Sequence, residues 1–494
     1  MVFMRTRFHW MVAGMMAALP VLLAGQDQSA QNQPAQSQPG QSTPVQSSAD
    51  KGATTAAPAP AAVSGILGVQ IEGVTSEDSS NTLPQIPALL GGIGISPAFL
   101  PELERSNYLR AGVNVGATYD DNPLLFSSGA VGNASVSIFP NLSIEQTSSR
   151  LRWKLAYAGG LTINQRLTNQ DQGSHNLNFD SQYRLSPHVN LRVAENFSLT
   201  TGYFDGGGDA VPVAGTGGPN ASLIVPLSTQ RSSLTTVETN YHFALNDLIG
   251  ASGSFYDLHF TNLPAADSGG TQLTTSLTGS ETASGSAFWL HRIFGGDWAG
   301  TSYRFARISF NGGESQIHSF FGVDTLNLST RFTLTGFIGP QYSENQGFLV
   351  AGTAADNWSL AGGAEGGFRD QRTSVLAGYS RSISDGGGVL GAVRLQNVYG
   401  NFRRELVPGW AAAVTASHGS NQALLLLCPT CASSVTLTSV GVSLERNVGK
   451  SVGFRLGYSH DLETGLNGSS STLDAHRNRV FATLSYQWAK PLGM

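Results

Sequence analysis

Apolar and polar residues alternate along the chain from about Ser106 almost to its end, in stretches of about ten residues that turn-forming clusters separate. Successive side chains of a β-strand point to opposite faces, so a period of two predicts strands that each carry one apolar face. The final stretch shows this most clearly. Its apolar face comprises Val480, Ala482, Leu484, Tyr486 and Trp488, and its other face Phe481, Thr483, Ser485 and Gln487. The body of the chain is therefore predicted to be all-β.

The links between the predicted strands form two sets that alternate along the chain. Eight short links are predicted at 145–149, 185–188, 245–248, 293–297, 327–330, 368–372, 403–409 and 446–450. Nine longer or glycine-rich links are predicted at 120–133, 165–176, 205–230, 261–271, 311–316, 343–357, 384–388, 418–434 and 461–477. Short turns on one side and long loops on the other are typical of outer-membrane barrels, whereas a soluble β-sandwich does not sort its links in this way. We predict a transmembrane antiparallel β-barrel of about 18 strands (roughly 16–18), and segments 279–285 and 424–431 leave the count open.

The chain before the barrel divides into three parts. Residues 1–25 have a cationic start, a short apolar stretch and the small pair Ala24-Gly25, which predicts a secretory signal peptide. Residues 26–60 are rich in Gln, Ser, Pro and Ala and are predicted to be a disordered periplasmic linker. Residues 61–105 are apolar but interrupted by proline, and either a plug or a spacer fits them. The barrel is predicted to span 106–490.

Composition excludes several classes of function. Only 12% of the 494 residues are charged, with a formal net charge of −5, against about 25% charged residues in an average soluble domain. So few charges argue against a cytosolic enzyme, and the absence of a basic excess argues against a nucleic-acid binder. After the signal peptide, the sequence contains no apolar run of the roughly 18 residues that a membrane-spanning helix needs. A closed barrel is the remaining way to cross a membrane.

The catalytic and metal-binding motifs are incomplete. Cys428 and Cys431 form a Cys-Pro-Thr-Cys sequence in a predicted outer loop, where export favours a loop disulfide. A redox role would need a βαβ context, and a zinc site would need two more ligands. We therefore predict that the protein is not an enzyme and holds no metal or cofactor. A barrel hydrolase stays open as an alternative, because the catalytic residues of such enzymes come from distant strands.

The last strand is predicted to carry an assembly signal. Outer-membrane barrels commonly end on a strand whose apolar residues alternate up to a terminal aromatic, and Leu484, Tyr486 and Trp488 resemble that signal. Six residues, 489–494, follow the aromatic. The predicted partners are outer-membrane lipids and the barrel-assembly machinery.

Cationic residues near the short turns are candidates for the pore lining. In the third strand the apolar residues share one face, which by parity places Arg150, Arg152 and Lys154 on the face toward the lumen. The same argument places Arg331 on the lumen face of the eleventh strand. Positive charges in a narrow mouth attract anions, so we predict that the channel prefers anions entering from the periplasmic side.

A short motif follows the first predicted strand. Asp120, Asp121 and Asn122, with a proline after them, predict a turn whose side-chain oxygens cap backbone N–H groups, whereas a divalent cation would need more oxygen ligands. Together with the barrel pattern over 106–490, the sequence Tyr-Asp-Asp-Asn resembles the outer-membrane β-barrel porins sometimes called type 2. The resemblance implies a link to the export of extracellular polysaccharide.

These observations predict an outer-membrane porin or exporter that forms an aqueous channel for polar solutes or polysaccharide, since barrels of 16–18 strands are wide enough for water. One alternative is a non-conducting barrel, blocked by residues 61–105, that serves as an anchor or assembly partner. A homo-oligomer is left open.

Overall fold

The computed structural model describes the barrel and leaves the chain before it outside the described residues. The described ranges are 107–123, 130–166, 171–205, 224–262, 277–293, 297–329, 331–349, 356–426, 433–449, 451–465 and 475–492. The predicted signal peptide, linker and apolar segment all lie outside these ranges, as do Cys428 and Cys431. No helix long and apolar enough to span a membrane occurs in the part of the chain that the structure describes.

Eighteen long strands and one strand of two residues make up the described structure. Their bounds are β1 Tyr108–Asp120, β2 Asn133–Thr147, β3 Leu151–Asn164, β4 Gln172–Arg184, β5 Val189–Asp205, β6 Ile224–Ala244, β7 Asp247–Asn262, β8 Ser280–Arg292, β9 Trp298–Phe310, β10 Gly313–Ser329, β11 Phe332–Leu349, β12 Asp356–Arg369, β13 Thr373–Asp385, β14 Ala392–Val407, β15 Trp410–Ala423, β16 Leu425–Leu426, β17 Ser434–Val448, β18 Val452–Thr464 and β19 Ala475–Pro491.

The long strands form one closed antiparallel sheet. Each pairs with its neighbours in chain order, and β15 pairs directly with β17, past the short β16. The first and last strands close the ring, with pairs that run from Tyr108↔Pro491 to Asp120↔Arg479. The predicted barrel of 18 strands is confirmed. The additional strand, β16, lies within the segment 424–431 that left the predicted count open.

The short and long links alternate as predicted. All eight predicted short links coincide with turns at one end of the barrel, which we call the inner end. The opposite end, called the outer end, carries the other links. One of these is shorter than predicted: β9 and β10 are joined by Asn311 and Gly312 alone, and Gly312 has φ 128°. Asn-Gly favours a tight hairpin turn, so the strand continues where a loop over 311–316 was predicted.

The two faces of the wall have opposite chemistry. On β2, Val136, Ile138 and Leu142 point outward and are exposed, whereas Ser135 and Ser137 point inward and are buried. Buried polar residues line the inner face of most strands, including Thr162, Asn164, Gln230, Thr236, Thr282, Ser302, Ser315, Ser319, Gln341 and Asn345. A soluble protein buries apolar side chains and exposes polar ones. This wall does the reverse, which is the arrangement of a barrel with lipid outside and water inside.

Candidate functional site

The hairpin of β13 and β14 leaves the wall and bends into the lumen. Strand β12 pairs only with residues 374–381 of β13, whereas the pairing between β13 and β14 continues to Asp385. Beyond the last β12 pair, the backbone N–H of Ile383 donates instead to Oε1 of Gln341, on the inner face of β11, at 3.2 Å. The outer end of the hairpin therefore lies inside the barrel. We call residues 381–395 the lumen hairpin, with Arg381, the last residue of β13 that pairs with β12, at its base.

The tip of the lumen hairpin reaches a part of the wall that does not adjoin β13 or β14. Oδ2 of Asp385 accepts a hydrogen bond from Oγ of Ser280 on β8 at 2.6 Å. The carbonyl of Gly388 accepts one from the N–H of Thr278 at 3.1 Å. Four strands of the wall separate β8 from β13, so the hairpin spans part of the lumen near the outer end. Its apolar residues are buried in one cluster with the inner face of β7: Val389, Leu390, Val393, Leu395, Tyr256, Leu258 and Phe260.

Glycine at the tip allows this close approach. Gly388 has φ 81°, a left-handed conformation that L side chains rarely adopt. A Cβ atom there would overlap the ring of Phe260, and a Cβ atom on Gly391 would overlap the carbonyl of Leu425. The glycine-rich link that looks like a flexible outer loop in the sequence is thus a packed element.

Strand β16 covers the lumen hairpin from the other side. Leu425 and Leu426 pair with the end of β11, although three strands of the wall lie between β11 and β15. The N–H of Leu424 donates to the carbonyl of Ala392, next to the tip of the hairpin, at 2.7 Å. Leu424 also packs with Ile383 and with apolar residues of the inner face, Ala306, Ile308 and Ile317. The segment therefore clamps the hairpin inside the barrel.

Three arginines lie around this packed region. Arg304 is on the inner face of β9, between Ser302 and Ala306, which are both buried. Arg381 and Arg394 share one face of the lumen hairpin, on paired strands. None of the three forms an ion pair with another residue of the described ranges. The sequence did not indicate these three arginines, because only the inward bend of the hairpin brings Arg381 and Arg394 toward β9.

The inner end carries a mixed cluster of charges. Arg152 lies on the inner face, as predicted by parity, and its guanidinium pairs with Glu145 at 2.8 Å. Arg110 contacts the other oxygen of the same carboxylate at 3.3 Å. Lys154 stands opposite Glu145 in the strand pairing and shares its face. On the neighbouring strands, Arg192 pairs with a second carboxylate of the inner face, Asp180. Two carboxylates therefore neutralise part of the positive charge at this entrance.

Two of the predicted pore-lining residues lie in turns. Arg150 is exposed between β2 and β3, and its carbonyl accepts a hydrogen bond from the N–H of Arg184. Arg331 precedes β11, and its guanidinium reaches Asp370 of the next inner turn at 3.2 Å. The prediction from alternating faces assumed that each arginine belongs to a strand. Strands β3 and β11 each begin one residue after the arginine, at Leu151 and Phe332. The backbone of Arg150 and the side chain of Arg331 therefore join neighbouring elements at the inner rim.

The motif after the first strand fastens the closing seam of the barrel. Oδ2 of Asp120 accepts a hydrogen bond from Nε of Arg477 at 2.8 Å, and both side chains are buried. The Asp121 carboxylate accepts from the N–H and the side-chain amide of Asn478, at 2.7 and 2.6 Å. Nδ2 of Asn122 donates to a carbonyl of β19 at 2.7 Å. All three residues of the motif therefore bind the outer end of β19.

The predicted turn chemistry is present as well, since Oδ1 of Asp120 accepts a hydrogen bond from the N–H of Asn122 at 3.0 Å. No group of three or more His, Cys, Asp or Glu side chains that could hold a metal ion occurs among the described residues. A second ion pair, which joins β18 and β19 beside the seam, was not predicted from the sequence. Arg479 contacts Asp461 on β18 at 3.0 Å. Arg479 and Asp461 are adjacent only once β18 and β19 are in register, so the local sequence does not indicate this ion pair.

Comparison with known proteins identifies similar structures but no family. No family model matches the sequence, and no curated protein matches it. The outer membrane protein OpdK of Pseudomonas aeruginosa is 13% identical, with a TM-score of 0.38 over 77% of this chain and 99% of that one. OpdQ of the same organism is 12% identical, with a TM-score of 0.40 over 78% and 98%. The siderophore receptor PirA, also from P. aeruginosa, is 10% identical, with a TM-score of 0.38 over 77% and 80%. The barrel assignment rests on the strand pairing itself.

The proposed assembly signal lies on the outward face of the closing strand. Leu484, Tyr486 and Trp488 are exposed, at 51%, 50% and 45% of their surface. Strand β19 continues beyond Trp488 to Pro491, which pairs with Tyr108 of β1. Residues 489–491, which follow the aromatic, therefore still belong to the wall.

Proposed function

We propose that this protein is an outer-membrane channel for polar solutes, in which the lumen hairpin sets the width of the passage. The observation that carries the proposal is the closed wall of 18 long strands, with apolar side chains outside and polar side chains inside. Such a wall satisfies every backbone group within a bilayer and places polar side chains along its inner face. The lumen hairpin then narrows the outer half.

The first test measures ion conductance across planar lipid bilayers. We expect the full-length protein to form channels. A variant in which an Asn-Gly turn replaces residues 386–391 should conduct several times more current, because the tip no longer occupies the outer half of the lumen. Substitution of Pro408, in an exposed turn of the inner end, serves as the control and should leave conductance unchanged. Absence of conductance in every variant would instead favour the non-conducting barrel.

The orientation is tested by labelling single cysteines on intact cells, in a background without Cys428 and Cys431. Val131 lies in an outer link and Leu245 in an inner turn, and both side chains are exposed. A maleimide that does not cross membranes should label Val131→Cys on intact cells and Leu245→Cys only after permeabilisation. The reverse result would show that the inner end faces the outside of the cell.

For the solute, we propose extracellular polysaccharide, because of the resemblance of residues 106–490 to porins linked to its export. The polar inner face supports this proposal, since hydroxyl and amide groups bind sugar hydroxyls readily. Deletion of the gene should reduce surface polysaccharide without reducing its cytoplasmic precursors. Unchanged surface polysaccharide would limit the proposal to small polar solutes.

A further inference from the structure

The three arginines near the lumen hairpin surround one apolar cluster. Arg304 lies two residues before Ala306 on β9, and Arg381 lies two residues before Ile383 on β13. Arg394 stands directly opposite Ile383 in the pairing of β13 with β14. Ala306 and Ile383 pack in the same buried cluster. Residues two apart on a strand, and residues directly paired across strands, share a face. The backbone positions of all three arginines are therefore next to the same apolar cluster inside the barrel.

These cations have no carboxylate partner among the described residues, and the Nε atoms of Arg381 and Arg394 are buried without a hydrogen-bond partner. The acidic residue of the hairpin, Asp385, is engaged by the hydroxyl of Ser280 and the N–H of Gly387. A partly buried cation without a counter-charge is unfavourable. Arg381 and Arg394 lie on the same face of paired strands, so their like charges increase this cost. An anion among the three arginines would offset it.

We propose that Arg304, Arg381 and Arg394 bind an oxyanion group of a solute in the outer half of the lumen; this rests on the proposed function as a channel. A guanidinium group donates two parallel hydrogen bonds to the oxygens of carboxylate, sulfate or phosphate. Three positive charges favour a dianion over a monoanion. The apolar cluster beside them excludes water, which strengthens the attraction. The solute class is therefore acidic, with phosphate or sulfate groups or several carboxylates.

The site differs from the predicted basic entrance at the inner end. There Arg152 is paired with Glu145, which removes most of its attraction for a passing anion. Arg304, Arg381 and Arg394 have no such ion pair among the described residues. Anion preference should therefore depend on Arg304, Arg381 and Arg394 and should depend little on Arg152.

The site is tested first by block of the channel with inorganic phosphate. Phosphate should reduce the chloride current of the wild-type channel, and each of Arg304→Gln, Arg381→Gln and Arg394→Gln should raise the half-blocking concentration about tenfold, since each removes charge-assisted hydrogen bonds. The matched control is Arg307→Gln, three residues along β9 on the outer face, where the guanidinium pairs with Glu314. If phosphate blocked the wild type and all four variants at the same concentration, the site would be overturned.

A second measurement does not require conduction. An anion that binds the folded barrel raises its thermal unfolding temperature in detergent. Phosphate should raise this temperature, relative to chloride at the same ionic strength, in the wild type and in Arg307→Gln, and should have a smaller effect in the three lumen variants. Acetate in place of phosphate distinguishes a monoanionic carboxylate from a dianion. Stabilisation without conductance would reject the channel and keep the site; conductance with the same phosphate response in every variant would reject the site alone.

Discussion

Arg477→Gln should destabilise the folded barrel by about 3–5 kcal/mol, because it leaves the buried Asp120 carboxylate without its partner. The side chains are 0% and 3% exposed, so water cannot replace the lost contact. We expect Asp120→Asn to have an effect of similar size, and the double variant to cost much less than the sum of the two. Urea unfolding in detergent, followed by the mobility shift of the folded barrel on unheated gels, measures these differences.

The control for this experiment is the exposed ion pair between Arg403 and Glu445, with a distance of 3.2 Å and side chains 44% and 27% exposed. An exposed pair contributes less than about 1 kcal/mol, so Arg403→Gln should unfold almost as the wild type does. If Arg477→Gln behaved like Arg403→Gln, the ion pair at the seam would not hold the barrel closed.

Replacement of Tyr486 and Trp488 by aspartate should remove most of the folded protein from the outer membrane. Both side chains point outward from β19, where a carboxylate costs up to about 2 kcal/mol in lipid, depending on depth. The change also destroys the aromatic signal that we propose for the assembly machinery. The amount of folded protein in purified outer membranes measures the effect.

The matched control places the same charges on the opposite face of the same strand. Ser485 and Gln487 alternate with Tyr486 and Trp488, and their side chains point into the lumen. Ser485→Asp with Gln487→Asp should therefore reach the membrane at nearly normal levels. Equal loss in both double variants would mean that charge anywhere on β19 prevents folding, and would not support an outward-facing signal.

The wall of the barrel was predictable because its pattern is local. Alternation identifies a strand within about ten residues, and turn-forming clusters mark where each strand ends. The lumen hairpin was not predictable in this way. Gly386, Gly387 and Gly388 look like a flexible loop, and their inward path depends on contacts with Gln341 and Phe260, which lie far away in the sequence.

The charged residues also show that local sequence does not predict contacts between distant residues. Parity correctly placed Arg152 on the inner face, because Arg152 belongs to a strand, and it did not apply to Arg331, which precedes one. The alternation of faces also does not predict the ion-pair partner of Arg152, because Glu145 is adjacent to it only through the register of β2 and β3. The arginines of the lumen hairpin have no local signal, because the bend that brings them near Arg304 begins where β12 stops pairing.

The seam between β1 and β19 also determines when the protein can finish folding. The side chains of Asp120 and Arg477 are separated by 357 positions in the chain, so their contact has a high entropic cost of loop closure. Until the last strand has been synthesised, one edge of β1 has no partner and exposes a row of backbone groups that other chains could pair with. A chain truncated before β19 would keep two open edges and should aggregate. The cell therefore has to protect the first strand of this protein until the last one reaches it.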